Sequence, residues 1–264
     1  MLVAAVQMCS GSDRDANLEK AEKLIRLARH RGADLVVLPE HFSFRGQEEK
    51  LREHAEEIPG PLSRWAQKLC KSLGIWLLAG TIPERAEGCI YNTAIFINPE
   101  GEIVATYRKI HLFDVTVGTS VYRESAVFTP GNTPCAVQTP VGNFGLAICY
   151  DIRFPELFRY LSKAGVEVFL IPASFAMLTG KDHWEVLLRA TAIENQAYVV
   201  ASNQIGESPE NKISYGHSMI IDPWGIIIGQ ASDIETVVTA EVNWDYLRNI
   251  RLKYPFLAHR KMIV

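Results

Sequence analysis

Three short segments carry residue types that can perform acid–base or nucleophilic chemistry, and each follows an apolar run. Glu40 ends VVLPE, Lys109 and His111 lie in YRKIHLFD, and Cys149 ends GLAIC. Desolvation beside a buried strand raises the pKa of a carboxylate towards that of a useful base. A lysine that points into a cleft supplies a positive charge for a developing oxyanion. The pattern therefore favours a reactive site assembled from distant segments.

The segment around Cys149 is the most specific of the three. Tyr150 to Arg153 turn the chain after the strand, and Pro155 is suited to the first position of a helix. Free backbone N–H groups and the positive helix end at such a turn favour a thiolate, and the amide of Tyr150 is a natural oxyanion donor. The arrangement resembles a nucleophile elbow without its Gly-x-Ser-x-Gly pattern.

Each segment, taken alone, also fits a structural role. Glu40 fits a surface glutamate that starts a loop, and YRKIHLFD fits a solvated basic turn with a core histidine. Cys149 fits a buried cysteine at the end of a strand. Only the combination of the three favours chemistry.

Composition excludes several classes of protein. The chain has 264 residues, 48% of them hydrophobic and 22% charged, which is typical of a folded soluble domain. Its net charge of −3 offers no basic surface for nucleic acid or an anionic membrane. The apolar runs are shorter than a membrane span, and MLVAAVQMC lacks the basic start of a signal peptide. Five cysteines without a C-x-x-C pair predict free thiols in a reducing cytoplasm, with neither disulfides nor a zinc site.

The order of elements predicts an α/β fold. Short apolar runs alternate with amphipathic stretches, so helices must cover a sheet. Helices are predicted at 17–31, 46–56, 62–73, 155–163, 182–196 and 243–254, and strands at 2–8, 34–40, 76–82, 91–98, 102–108, 168–174 and 198–204.

The two halves of the chain resemble each other. DLVVLPE (34–40) is similar to EVFLIPA (167–173), and YNTAIFINPEGEI (91–103) is similar to YGHSMIIDPWGII (215–227). Pro-Gly turns between apolar strands also recur by chance, but the two matches have the same order and similar spacing. We therefore predict two sheets packed back to back with helices outside, in a single domain over residues 1–264.

Glu40, Lys109 and Cys149, in the contexts LPE, YRKIHLFD and CYDIRFPE, together resemble the nitrilase superfamily of carbon–nitrogen hydrolases over essentially the whole chain. The resemblance implies a four-layer α-β-β-α sandwich of two related halves, no metal or organic cofactor, and a homo-oligomer. It also implies roles for the residues: Cys149 attacks an amide carbonyl, Glu40 is the base, and Lys109 holds the oxyanion. Glu124 in YRES matches a second glutamate that orients the lysine.

Two further segments, GKDHWEVLLRATAIENQAYVVA (180–201) and SYGHSMIIDPWG (214–225), resemble the Nit branch of that superfamily. Members of this branch hydrolyse amides of dicarboxylic 2-oxo acids, including deaminated glutathione. The resemblance therefore implies a small-molecule amide substrate with a carboxylate near the scissile bond.

Four residues are candidates for binding such a substrate, beginning with Tyr150. Arg153 is suited to grip the carboxylate bidentately, although it also fits a salt bridge to a neighbouring acid such as Asp151. His183 and Trp184 start a predicted helix and are candidates for lining the pocket, although His183 equally fits a packed position.

Several alternatives remain open at this stage. A nitrilase or an N-carbamoyl amidohydrolase uses the same Glu-Lys-Cys triad, and pocket shape alone separates them from an amidase. A silent scaffold of the same fold needs none of the three residues. A Cys–His hydrolase would use His111 or His217 instead. A dinucleotide-binding protein is disfavoured, because no G-x-G-x-x-G follows a strand in this sequence.

Overall fold

The structure is a computed structural model, and it describes residues 1–118 and 120–262. Its strands are β1 (Leu2–Gln7), β2 (Leu35–Val37), β3 (Trp76–Leu78), β4 (Ile82–Ala86), β5 (Cys89–Ile97), β6 (Ile103–Arg108), β7 (Asp114–Val117), β8 (Ser120–Arg123), β9 (Cys135–Thr139), β10 (Gly142–Leu146), β11 (Val168–Ala173), β12 (Tyr198–Asn203), β13 (Ile205–Glu207), β14 (Ile213–Tyr215), β15 (Met219–Ile221), β16 (Ile227–Gln230) and β17 (Thr236–Glu241). Its α-helices are α1 (Arg14–His30), α2 (Glu48–Glu53), α3 (Pro61–Leu73), α4 (Pro155–Lys163), α5 (Met177–Thr179), α6 (Glu185–Asn195) and α7 (Trp244–Lys253). Short 3₁₀ turns cover Glu124–Ala126 and Cys149–Arg153, and a π turn covers Gly180–Trp184.

Two large sheets have the same internal plan. The first has the order β17-β1-β2-β3-β5-β4, with β6 also paired to β5, and the second has the order β16-β15-β12-β11-β10-β9. In the first sheet β1, β2 and β3 are parallel, and β5 and β6 follow as antiparallel strands. In the second sheet β10, β11 and β12 are parallel, and β15 and β16 follow as antiparallel strands. The two segment pairs seen in the sequence occupy equivalent places, as two related halves require.

The sheets pack face to face, with the helices on their outer sides. Because side chains alternate along a strand, Val3 and Ala5 of β1 enter the core shared with the second sheet, while Ala4 and Val6 pack towards α1 and α3. On the outer side of the second sheet, α4 and α6 bury their apolar faces. Ser202 of β12 donates its hydroxyl to the carbonyl of Val37 at 2.9 Å and ties the sheets together. The predicted four-layer sandwich is confirmed.

Local signals explain where several elements begin and end. Helix α4 begins at Pro155 and ends at Lys163, as predicted, because proline is preorganised for the first turn. The strand predicted to run to residue 82 ends at Leu78 instead. Gly80 has φ +47°, and a Cβ at that position would meet the carbonyl oxygen of Pro39 at 2.2 Å. The chain must therefore turn there, close to the segment that carries Glu40.

The elements that periodicity did not indicate are short and partly polar. Strand β4 and the hairpins β7–β8 and β13–β14 pair over only three to five residues, so they show no clear alternation. The hairpins contribute Tyr122 and Ser214 to the cavity described below. Among the described residues, none of the helices is long and apolar enough to cross a membrane.

Candidate active site

The Glu40 carboxylate lies just past the end of β2 and is almost fully buried. Its Oε1 accepts hydrogen bonds from Lys109 Nζ at 2.8 Å and from Asn92 Nδ2 at 2.9 Å. Its Oε2 accepts from the backbone amide of Ser174, which follows β11, at 2.9 Å. The equivalent ends of the β2 and β11 strands therefore meet at this carboxylate, as the sheet-end argument anticipates.

Lys109 directly follows β6, and its ammonium is buried between two carboxylates. Its Nζ lies 2.8 Å from Glu40 Oε1 and 2.8 Å from Glu124 Oε2. Glu124, in the 3₁₀ turn after β8, is held in turn by the backbone amide of Phe113, which donates to its Oε2 at 2.7 Å. We call Glu40, Lys109 and Glu124 the ion cluster. Two carboxylates and one ammonium give it a net negative charge.

Cys149 lies beside the ion cluster at the turn from the second sheet into α4. Its φ of +45° is left-handed, a conformation that costs energy in a non-glycine residue and concentrates at functional sites. The buried carboxylate of Asp151 holds this turn, accepting from the Ile148 amide at 2.8 Å and from the Tyr107 hydroxyl at 2.8 Å. The sharp strand-to-helix turn expected around Cys149 is therefore present, in the form of a 3₁₀ turn ahead of the helix.

The electrostatics differ from the sequence-based expectation. Burial alone would raise the pKa of Glu40, but the Lys109 ammonium and His41 outweigh it and lower that pKa from 4.5 to about 2. The pKa of the Cys149 thiol is raised well above its ordinary value, first by burial and then by the Glu40 carboxylate. The predictions of a raised Glu40 pKa and a favoured thiolate are therefore wrong. The resting site holds an ionised carboxylate beside a neutral thiol.

The residues of the ion cluster and Cys149 line one cavity of about 170 Å³. Apolar side chains form part of its wall, among them Phe44, Phe113 and Phe128. Basic side chains from three separate segments line it as well: Arg45, Arg123 and Lys212. A small molecule with an apolar stem and a negatively charged group suits such a lining.

None of the four predicted substrate-binding residues belongs to the wall that the described residues give this cavity. Arg153 Nη1 lies 3.3 Å from His183 Nδ1, so the anticipated salt bridge to Asp151 is not what holds it. Trp184 is fully buried and donates its indole N–H to the carbonyl of His217 at 2.9 Å, as a core residue does. Tyr150 packs edge-on against Phe113, with ring centroids 5.0 Å apart.

The histidines of the alternative Cys–His reading are engaged elsewhere. His111 Nδ1 lies 2.7 Å from Asp151 Oδ1, and its ring stacks on Phe154 with centroids 3.7 Å apart. The Nδ1 of His217 lies 3.0 Å from the Tyr215 carbonyl oxygen. The histidine that does line the cavity is His41, 3.8 Å from Glu40 Oε1, and burial lowers its pKa.

Glu40, His41 and Glu124 also offer three ligand atoms that lie within 4.8 Å of one another, a spacing suited to a metal ion. The Lys109 ammonium already donates to both carboxylates. It thus supplies the positive charge that a metal would bring to this donor set, and the residues give no additional support for a metal.

Asn92 is a site residue that the sequence motifs do not indicate. Its Nδ2 donates to Glu40 Oε1 and Glu124 Oε1, both at 2.9 Å, so one amide joins the two carboxylates. The available signal was its position inside the apolar run YNTAIFIN, where a buried amide requires a polar partner. Periodicity gives no indication of which partner that is.

Replacing Asn92 with alanine is expected to lower kcat for an amide substrate at least about 10-fold, because Glu40 and Glu124 each lose a hydrogen bond that holds the carboxylate in position. Steady-state kinetics on the purified variant check this. Asn98→Ala is the matched control: Asn98 directly follows the same strand, but its side chain donates to Glu102 at 2.8 Å, outside the cavity. Wild-type kcat in Asn92→Ala would show that the bridge is dispensable.

Comparison with known proteins agrees with this site. The sequence model of the carbon-nitrogen hydrolase family matches residues 2–252. The deaminated glutathione amidase of Synechocystis sp. is 44% identical over 99% of this chain and 98% of its own length. The omega-amidase NIT2 of Xenopus tropicalis is 38% identical over 98% of this chain and 94% of its own length.

A solved structure supports the same assignment. The NitFhit protein of C. elegans superposes with a TM-score of 0.92 at 35% identity. The match covers 98% of this chain and 65% of that longer protein. This chain therefore belongs to the carbon-nitrogen hydrolase family and is an enzyme that hydrolyses C–N bonds of amides.

Proposed function

We propose that the protein is a thiol-dependent amidase that cleaves a small, carboxylate-bearing amide through a thioester on Cys149. One observation carries the proposal: the Lys109 ammonium, held at 2.8 Å by each of two buried carboxylates, shares a cavity with the Cys149 thiol. A nucleophile, a carboxylate base and a fixed cation are the groups that acyl transfer requires.

In the first half-reaction Cys149 Sγ attacks the amide carbonyl carbon, and the thiol proton passes to Glu40. The resting thiol is neutral and Glu40 is a weak base, so proton transfer must accompany formation of the C–S bond. The tetrahedral oxyanion is stabilised by Lys109 Nζ and by the backbone amide of Tyr150. Glu40 then returns the proton to the leaving nitrogen, the C–N bond breaks, and an amine and a thioester remain.

In the second half-reaction water replaces the amine. Glu40 takes a proton from water as the oxygen attacks the thioester carbonyl, and Lys109 again stabilises the oxyanion. The C–S bond breaks, the Cys149 sulfur regains a proton, and a carboxylic acid leaves. Glu124 keeps the Lys109 ammonium in place throughout, through hydrogen bonds of 2.8 and 3.0 Å.

The substrate class follows from the relatives and from the cationic lining. Similar proteins are named deaminated glutathione amidase and omega-amidase. Both substrates present the ω-amide of a 2-oxo dicarboxylic acid to the nucleophile, and the basic wall suits their common carboxylate. We therefore propose deaminated glutathione or 2-oxoglutaramate as the substrate.

One assay tests this proposal and separates the two substrates. The purified enzyme is offered deaminated glutathione, with release of cysteinylglycine measured, and 2-oxoglutaramate, with release of ammonia measured. Matched samples contain a nitrile and an N-carbamoyl compound of the same chain length. Turnover of either 2-oxo amide at a higher kcat/KM than the nitrile and carbamoyl compounds is expected. Preference for the nitrile or the carbamoyl compound would instead favour the corresponding alternative function.

Two further expectations stay predictions. A cytoplasmic location is one, and association of identical copies is the other. Several apolar side chains near residue 260 are exposed, including Leu252 at 80%, Phe256 at 46% and Met262 at 84%. Exposed apolar side chains of this kind are often buried when two copies of a chain associate. Sedimentation of the purified protein tests the second of these.

A further inference from the structure

Arg45 is a buried cation in the wall of the cavity, five residues after Glu40. Its side chain is 8% exposed, and its backbone amide donates to the carbonyl of Gly11 at 3.0 Å, which holds the segment in place. Burial lowers the pKa of its guanidinium, since desolvation penalises the charged form. A guanidinium still stays protonated in proteins, so the cavity carries a permanent positive charge.

Hydrogen bonds place this charge next to the ion cluster. Arg45 Nη2 donates to Ser214 Oγ at 3.0 Å, and Ser214 Oγ lies 3.2 Å from Ser174 Oγ. The backbone amide of Ser174 donates to Glu40 Oε2 at 2.9 Å. The guanidinium is therefore separated from the proposed base by only two serines.

The guanidinium lacks a full set of partners. Its Nη1 is buried and, within the described part of the chain, has no hydrogen-bond partner, and Arg45 forms no ion pair with a described carboxylate. The nearby Glu40 is already bonded to Lys109. The net negative charge of the ion cluster lies nearby, but no described carboxylate contacts the guanidinium directly, so it retains the capacity to bind an anion that enters the cavity.

Other basic residues near the cavity are less suited to binding an incoming anion. Lys212 Nζ is paired with Glu210 Oε2 at 2.8 Å. Arg123 is exposed, and water screens an exposed charge so that its ion pairs gain little. Arg153, the residue expected from the sequence, lies 3.3 Å from His183 Nδ1 and outside the cavity wall formed by described residues.

We propose that Arg45 binds the free carboxylate of the substrate and sets the preference for anionic amides. The inference rests on the proposed function for the identity of that carboxylate. Nη1 and Nη2 form the fork that a carboxylate accepts bidentately; Nη1 is closed to solvent in this structure, so the incoming carboxylate must shift the Arg45 side chain or its neighbours to reach both nitrogens. Arg45 is a substrate-binding residue in this assignment, and the bond-making steps stay with Cys149, Glu40 and Lys109.

The test uses two amides that differ only in the anionic group: 2-oxoglutaramate, and 4-oxopentanamide, in which a methyl group replaces the carboxylate. Arg45→Met is expected to lower kcat/KM for 2-oxoglutaramate about 10- to 100-fold, mainly through KM, because a charge-assisted bond is lost. Hydrolysis of 4-oxopentanamide is expected to change less than about 3-fold. Arg45→Lys, which keeps the charge but not the fork, is expected to lie between wild type and Arg45→Met.

Two control variants make the test specific. Arg26→Met removes an exposed arginine of α1 that pairs with Glu22, and it is expected to match wild type on both amides. Arg153→Met tests whether Arg153 binds the substrate carboxylate instead of Arg45. An equal loss on both amides in Arg45→Met would overturn the proposal, as would a carboxylate-specific loss in Arg153→Met alone.

Binding keeps the test independent of turnover. Calorimetry measures the affinity of 2-oxoglutarate for wild type and Arg45→Met, and at least about 10-fold weaker binding to the variant is expected. If wild type binds 2-oxoglutarate in an Arg45-dependent way but hydrolyses neither amide, the proposed function fails and the role of Arg45 stands. Equal affinity of the two proteins, or no binding to either, overturns the role of Arg45 even if the amides are hydrolysed.

Discussion

Replacing Cys149 with serine is expected to lower kcat/KM for the preferred amide about 10⁴-fold or more, while the protein stays folded. Serine is nearly isosteric, but its hydroxyl is a far weaker acid than a thiol. Glu40, with a pKa lowered to about 2, is too weak a base to compensate. Initial-rate kinetics and thermal unfolding of the same sample measure the two quantities.

A second cysteine provides the control. Cys135, in β9, is half-buried outside the cavity, and burial raises its pKa to about 11. Cys135→Ala should retain wild-type kcat/KM. Iodoacetamide should inactivate the wild type by alkylating Cys149, with Glu40 beside it to accept the thiol proton, and 2-oxoglutarate should slow that inactivation. Near-wild-type turnover in Cys149→Ser, or inactivation through another cysteine, would contradict the nucleophile assignment.

Replacing Lys109 with methionine is expected to reduce both activity and stability. Loss of an oxyanion-binding cation costs about 10³-fold in kcat. Two buried carboxylates also lose their common partner, which is expected to lower the free energy of unfolding at pH 7 by about 3–5 kcal/mol. Denaturant unfolding of the variant measures the second effect. Lys68→Met, on the exposed face of α3, is the matched control and should change neither quantity.

The stability lost in Lys109→Met is expected to depend on pH in a defined direction. In the wild type the Glu40 pKa falls from 4.5 to about 2, so its stabilising contribution is present above pH 4.5 and disappears between pH 4.5 and 2. Without Lys109, burial raises the Glu40 pKa, and the folded state takes up protons more readily than the unfolded state. The stability difference from wild type should therefore be smaller at pH 5 than at pH 8.

A double variant isolates the cause. Lys109→Met with Glu124→Gln removes one of the two unpaired charges, so part of the lost stability should return while activity stays low. A Lys109→Met penalty that is the same at pH 5 and pH 8, or one that Glu124→Gln does not reduce, would show that the ammonium contributes through packing alone.

The order of helices and strands followed from the sequence because hydrophobic periodicity and turn residues are local signals. The segment pairs DLVVLPE/EVFLIPA and YNTAIFINPEGEI/YGHSMIIDPWGII predicted the equivalent placement of their strands in two sheets. Glu40, Lys109 and Cys149 were selected from the types and local contexts of the residues, and Glu124 from the resemblance to the nitrilase superfamily. Their presence in one cavity is a property of the folded chain.

Only the tertiary structure showed the charge state of the site and which basic residues line its cavity. The direction of the Glu40 pKa shift depends on Lys109, 69 positions along the chain, and burial alone predicted the wrong sign. The hydrogen-bond partners of Asn92 and Arg45 lie on distant segments of the chain, so only the folded structure identifies them. The burial of Trp184 in the core is likewise a result of tertiary packing. Electrostatic interactions act through distance in space, and local sequence patterns do not encode that distance.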